Sequence, residues 1–259
     1  MLYSPPEMML IVFAAGLCIG SFLNVCIYRI PESRSIVTPP SSCPSCGYRI
    51  RYYDNIPVIS YLFLLGKCRQ CGVRISPRYP LVELLTGFFA LAVYFRFGLS
   101  LQALAYFAFI ATLIVITFID IDHRIIPNAI SLPGIPIFFA ASFAVPSLTW
   151  LDALLGILIG GGILYAVAWT YLFFTKREGM GGGDIKLLAM MGGMIGWKGV
   201  FFTIFVSSAI GTVTGLAIMA ATRKNMKLAV PFGPFLALGA VIYIFFGQEL
   251  ILWYFRLMR

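Results

Sequence analysis

An all-α polytopic membrane protein with about eight transmembrane helices and a cytoplasmic zinc-ribbon-like loop domain is the fold class this chain predicts. Three observations carry that expectation. Hydrophobic residues make up 60% of 259 positions against 11% charged, and mean hydropathy is +0.93, values that require repeated bilayer crossing. The apolar residues fall in long runs with polar punctuation. The one sizeable polar region, residues 29–80, carries two Cys-x-x-Cys pairs.

The runs lie near residues 7–28, 81–97, 101–120, 129–146, 152–174, 185–196, 199–221 and 229–248. The first is preceded by Glu7 and no basic residue, with Arg29 and Arg34 after it, so it reads as a retained anchor and not a cleaved signal. The sixth is short for a full crossing and is expected to be tilted, broken or partly inserted. With the amino terminus outside, segments 29–80, 121–128, 175–186 and 222–228 share one face and hold 15 of the 19 lysines and arginines. That face is expected to be cytoplasmic. The same asymmetry accounts for the net charge of +9 without nucleic acid, for which no basic helix or aromatic-basic platform is present. No internal repeat is evident along the chain.

Cys43-Pro44-Ser45-Cys46 and Cys68-Arg69-Gln70-Cys71 are separated by 21 residues. Four thiolates so spaced predict a structural zinc site that supplies folding energy a small loop lacks. A reducing cytoplasmic loop argues against disulfides. Gly47 and Gly72 each follow a second cysteine, as a tight knuckle turn requires. Cys18 and Cys26 lie in the first span and read as packing residues. Arg34, Arg49, Arg51, Lys67, Arg69 and Arg74 read as topology determinants in reach of anionic lipid heads.

Ten acidic residues allow a search for catalytic carboxylates by elimination. Glu7, Asp152 and Glu249 read as outer boundary residues, and Glu32, Asp54 and Glu178 as loop acids able to pair with nearby arginines. Glu83, at the start of the second span, needs a partner such as Arg78 if buried; it is either a base or a member of an ion pair. Asp120, Asp122 and Asp184 remain. Asp120 and Asp122 are about 200° apart around a helix, so one of them at most faces a partner carboxylate. Asp120 lies closer to the apolar run and is preferred; Asp122 with His123 and Arg124 reads as a hydrated cluster. Asp184 ends the run Gly179-Met180-Gly181-Gly182-Gly183-Asp184, whose glycines admit a substrate strand near the backbone or serve close helix packing. Two aspartates on separate membrane helices suggest an aspartyl protease, in which paired carboxylates share one proton and divide the acid and base roles. A transporter using the same acids for cations leaves the paired cysteines unexplained, and a scaffold predicts indifference to the loss of Asp184.

The chain resembles the type IV prepilin leader peptidases, members of the Gly-x-Gly-Asp class of intramembrane aspartyl proteases. The resemblance rests on Gly20-Ser21-Phe22-Leu23-Asn24-Val25 with Arg29 and Pro31, the cysteine pairs and Arg78-Tyr79-Pro80 with Glu83. It extends through Asp120 followed by Ile126-Pro127-Asn128 to Gly181-Gly182-Gly183-Asp184-Ile185-Lys186-Leu187. It implies cleavage of a basic leader from type IV prepilins or type II secretion pseudopilins, after a glycine, at the cytoplasmic face of a bacterial inner membrane. Asp120 and Asp184 match the family's catalytic positions. The resemblance further implies N-methylation of the new amino terminus with S-adenosylmethionine, associated with residues 1–80, while residues 81–259 form the peptidase domain. Asn24 is expected either to tie helices together or to touch substrate.

Overall fold

A computed structural model describes residues 5–176, 181–222 and 231–257. Glu178, Gly179 and Met180 lie outside the described residues. The chain is helical throughout, with two isolated antiparallel bridges and no strand among the described residues. It divides into two compact units, Met1–Val115 and Ile116–Arg259.

In the first unit, α1 (Pro6–Arg29) opens on a proline at its first helical position, where no hydrogen bond is lost. A 3₁₀ turn, Tyr52–Asp54, and a short α2, Ile59–Phe63, interrupt the polar region. α3 (Arg78–Phe97) follows and packs on α1. Asn24 joins the two helices: its amide donates to Tyr79 O at 3.0 Å and to Gly20 O at 3.3 Å. This is the structural tie that its place inside an apolar span suggested.

α4 (Leu101–His123) starts in the first unit and ends in the second. In the second unit, α5 (Asn128–Ser142) begins after Pro127 and carries Pro133 and Pro136 within it. α6 (Trp150–Thr175) is opened by a capping box in which Thr149 and Asp152 exchange hydrogen bonds, a device worth about 1 kcal/mol. Asp152 also accepts from Trp197 Nε1 at 2.9 Å. It is therefore a cap and an inter-helix link, more than the solvated boundary residue its position suggested. α7 (Gly182–Thr222) packs against α5, α6 and α8 (Gly233–Leu257). α6 and α7 meet at Gly156 and Gly192, where the backbones come so close that neither position has room for a Cβ.

Among the described residues six helices are long and apolar enough to cross a membrane, and α5 is a shorter apolar helix. The expected runs 185–196 and 199–221 are two helical limbs of α7 that meet at a kink at Gly196, whose φ of 68° and ψ of 176° are not helical, so the boundary falls where the sequence placed it. Two apolar helical segments thus fall below spanning length: α5 and the limb of α7 before Gly196. That leaves six full-length candidates where about eight crossings were expected.

Candidate active site and metal centre

The polar region of the first unit is built on a repeat that the sequence analysis did not recognise. Ser41-Ser42-Cys43-Pro44-Ser45-Cys46-Gly47-Tyr48-Arg49-Ile50 and Gly66-Lys67-Cys68-Arg69-Gln70-Cys71-Gly72-Val73-Arg74-Ile75 align at an offset of 25, with Cys-x-x-Cys-Gly-x-Arg-Ile in common. Their hydrogen bonds correspond one for one. Cys43 N–H donates to Tyr48 O and Cys68 N–H to Val73 O, both at 2.9 Å. Gly47 N–H donates to Cys43 O and Gly72 N–H to Cys68 O, also at 2.9 Å. Ser42 bridges Arg49, and Lys67 bridges Arg74. Gly47 and Gly72 take φ values of 70° and 69°, the left-handed turn anticipated at both.

The two knuckles face each other. Cys43 Sγ lies 3.8 Å from Cys71 Sγ, and Cys46 Sγ 4.0 Å from Cys68 Sγ. All four sulfurs fall within 4.8 Å of one another and none is in a disulfide. A tetrahedral tetrathiolate with zinc–sulfur bonds of about 2.3 Å has edges of about 3.8 Å, so the set fits a zinc ion. The acidities agree. N–H groups of Cys46 and Ser45 aimed at Cys43 bring its thiol down to about 7. At Cys46 the Tyr48 N–H pulls down, but burial and the neighbouring sulfurs of Cys71, Cys43 and Cys68 push the thiol up to about 12. Four sulfurs this crowded cannot all be thiolate without a cation between them.

The loop acids pair as expected. Glu32 accepts from Arg34 Nε at 2.9 Å. Asp54 takes a bidentate grip from Arg69, with Nη2 at 2.6 Å and Nε at 2.9 Å from its oxygens. Arg69 also stacks over Tyr53, 5.5 Å from the ring centre. It therefore clips the 3₁₀ turn to the second knuckle, a structural role beyond setting topology. Glu83 accepts from Val58 N–H at 2.7 Å and forms no ion pair among the described residues, so the ion-pair reading of it is not the one the structure shows.

In the second unit, the end of α4 buries Asp120, 5% exposed, and leaves Asp122 and His123 on the open side. Gly233 N–H, at the start of α8, donates to Asp120 Oδ2 at 2.9 Å. Asp184 sits in the first turn of α7, half-buried, close enough to feel the charge of Asp120. Two further contacts hold the segments that carry these acids. Gly183 packs on Ile126, which leaves a Cβ at that glycine only 3.0 Å away. Lys186 Nζ donates to Asn128 Oδ1 at 2.8 Å. The arrangement offers two neighbouring carboxylates with unequal surroundings, one buried and clamped by a backbone N–H, the other more open. Such a pair is able to share a proton and to act on a polar bond with water.

Gly233 was not among the residues picked out by sequence. Its motif, Pro231-Phe232-Gly233-Pro234, follows a basic loop and carries no ionisable group; only its contact with Asp120 distinguishes it.

Residues 14–97 match the family described as "Bacterial Peptidase A24 N-terminal domain", and residues 107–216 match the "Type IV leader peptidase family". The chain is 36% identical over 257 residues to a prepilin leader peptidase/N-methyltransferase of Pseudomonas putida, covering 91% of this chain and 89% of that protein. Against the protein of the same name from Stutzerimonas stutzeri identity is 36% over 283 residues, covering 99% and 96%. For that of Pseudomonas aeruginosa it is 35% over 269 residues, covering 95% and 93%. No solved structure matches the chain. Both halves of the sequence, the cysteine-bearing and the aspartate-bearing, are thus accounted for together, and the chain belongs to the type IV leader peptidase family.

Proposed function

We infer that the protein cleaves the leader peptide of type IV prepilins or type II secretion pseudopilins after a glycine and N-methylates the amino terminus so released. The reaction takes place at the cytoplasmic face of a bacterial inner membrane. The observation that carries this reading is the buried Asp120, clamped by Gly233 N–H and within charge reach of Asp184, in a chain of this family. Family membership alone leaves open which acids act; burial and proximity favour this pair over Asp122.

In hydrolysis the two carboxylates hold one proton between them. The ionised one takes a proton from water as it attacks the scissile carbonyl. The neutral one donates its proton to the carbonyl oxygen, which gives a gem-diol; the first carboxyl, now protonated by the water, then donates to the leaving amine while the second takes a proton back from the gem-diol. The Gly233 N–H fixes the orientation of Asp120 throughout. The Lys186–Asn128 hydrogen bond holds the segment after Asp184 to the loop after Asp120. The glycines before Asp184 leave room for an extended substrate strand.

Cys43, Cys46, Cys68 and Cys71 would hold zinc, which would cross-link a region with little apolar core of its own. S-adenosylmethionine supplies the methyl group as a reactive sulfonium. Methyl transfer is associated with the amino-terminal region, residues 1–80, and hydrolysis with the peptidase domain, residues 81–259, with candidate methylation residues running from 20 to 83.

The test is intact-mass analysis of a prepilin incubated with purified protein and S-adenosylmethionine. Loss of the leader and gain of one methyl mass is the expected result. Uncleaved substrate across a panel of prepilins and pseudopilins would overturn the reading.

A further inference from the structure

Glu83 is a buried carboxylate that the hydrolytic chemistry leaves unused. It is 7% exposed. Its hydrogen-bond partner is a neutral donor, Val58 N–H to Oε2 at 2.7 Å, and no cationic side chain pairs with it among the described residues. A carboxylate accepts about four hydrogen bonds, so one donor leaves it with spare capacity and an uncompensated charge. Burying such a charge is costly, and a fold keeps it when a proton or a cation offsets it.

The surrounding backbone is arranged to serve this group. Val58 is β-branched yet takes φ 60° and ψ −49°, a conformation such residues avoid. Strain of this kind persists only where neighbours enforce it. Ser60 does so: its Oγ accepts from Ile56 N–H at 3.2 Å and donates to Tyr53 O at 2.8 Å, pinning the segment that presents Val58 N–H to Glu83. From the other side α1 closes on this group: a Cβ at Gly20 would lie only 2.7 Å from Glu83 Cα, and Asn24 ties the same helix to Tyr79 O. The other described acids of the first unit are accounted for: Glu7 is exposed, Glu32 pairs with Arg34, and Asp54 is gripped by Arg69.

We propose that Glu83 binds the α-ammonium group of the methyl acceptor and removes its proton. This rests on the cleavage and methylation inferred above. A free α-amino group has a pKa of about 7.7–8.0 and is mostly protonated at neutral pH, so it cannot attack a methyl carbon until a base takes its proton. The carboxylate first offsets its buried charge with the ammonium and then accepts one proton. The freed nitrogen lone pair attacks the methyl carbon of the sulfonium donor, whose carbon–sulfur bond breaks to leave a neutral thioether and an N-methylammonium product. Holding the amine in place adds to the effect. Two other organic cations share this chemistry, the basic side chains of the leader and the sulfonium itself, and the experiment separates them.

Full-length Glu83→Gln and Glu83→Asp variants are compared with the parent on two substrates, an intact prepilin and a pre-cleaved pilin with a free amino terminus. S-adenosylmethionine binding is measured by calorimetry, and methylation is followed from pH 6.5 to 9. The proposal expects Glu83→Gln to cleave within about twofold of the parent and to methylate pre-cleaved pilin at least roughly 100-fold more slowly at pH 7. It expects that deficit to shrink about tenfold or more at pH 9, where the amine loses its proton unaided. Donor affinity is unchanged, and Glu83→Asp restores part of the rate. Methylation within twofold of the parent overturns the proposal. So does cleavage falling in parallel, which marks a leader-binding or purely structural group. Loss of donor affinity with a deficit that does not vary with pH also overturns it, and assigns the sulfonium instead. A parent protein that cleaves but methylates nothing overturns the inferred methylation and this proposal together, whereas the outcomes above leave that function standing.

Discussion

Gly233 and Asp120, 113 residues apart in sequence, are joined by a hydrogen bond of 2.9 Å from the glycine N–H to Oδ2. A Cβ at position 233 would lie 2.7 Å from that oxygen, so the carboxylate occupies space that a side chain would otherwise fill. Gly233→Ala must displace either Asp120 or the start of α8. A misplacement of about 1 Å costs roughly 100-fold in rate, and cleavage of a prepilin is expected to fall by about that factor. Methylation of a pre-cleaved pilin serves as the internal control and should be retained.

Asp120→Asn and Asp184→Asn each preserve shape while removing the shared proton's second site. Cleavage should drop by about 10³-fold or more in either single variant. Because the pair acts as a unit, the double variant should be little worse than the singles. Progress curves on one prepilin, read by intact mass, check both statements. Asp122→Asn, at an exposed position, should stay within about threefold of the parent.

The contact between Lys186 Nζ and Asn128 Oδ1 predicts a milder phenotype. Lys186→Ala leaves both carboxylates in place but frees the segment beginning at Asp184 from the loop that follows Asp120. A fall of about tenfold in cleavage is expected. Lys186→Arg, which keeps a donor near the amide oxygen, should recover part of it.

Metal uptake should depend on pH with a defined sign. The Cys43 thiol is lowered to about 7, chiefly by the N–H groups of Cys46 and Ser45, so its thiolate is present above that pH and is lost as pH falls through it. Zinc competes with protons for the same sulfur. Metal-stripped protein is expected to reload one zinc per chain readily at pH 8 and poorly at pH 6, followed by metal analysis after gel filtration. Cys43→Ser or Cys68→Ser should abolish that stoichiometry.

What the sequence revealed, and what it concealed, follows from the range of the interactions involved. Apolar runs and the Cys-x-x-Cys pairs are local patterns, and both stood out before any coordinates. Asp120 and Asp184 were found because carboxylates are rare in such a chain. The pairings of Glu32 and Asp54 with arginines were legible from loop composition. The contacts of Gly233 with Asp120 and of Val58 with Glu83 were not, since each is made by a backbone N–H, which every residue but proline possesses. The doubled knuckle escaped notice because only five of its ten aligned positions, two cysteines, a glycine, an arginine and an isoleucine, are shared, while the rest differ. The division of α7 was legible as well: the kink at Gly196 lies beside Trp197-Lys198-Gly199, where a charge interrupts the apolar run.

That break fixes the length of the helical limb that carries Asp184. The limb of α7 from Gly182 to Gly196 rises about 1.5 Å per residue, roughly 20 Å in all, against a hydrocarbon layer of about 30 Å. Its far end is moored at the capped start of α6 through Trp197 and Asp152. A limb of that length covers about two-thirds of such a layer. With its Gly196 end at one surface, the Asp184 end would be recessed from the other, and cleavage in vesicles should then depend on lipid chain length, faster in thin bilayers and slower in thick ones that hold back the water peptide hydrolysis consumes.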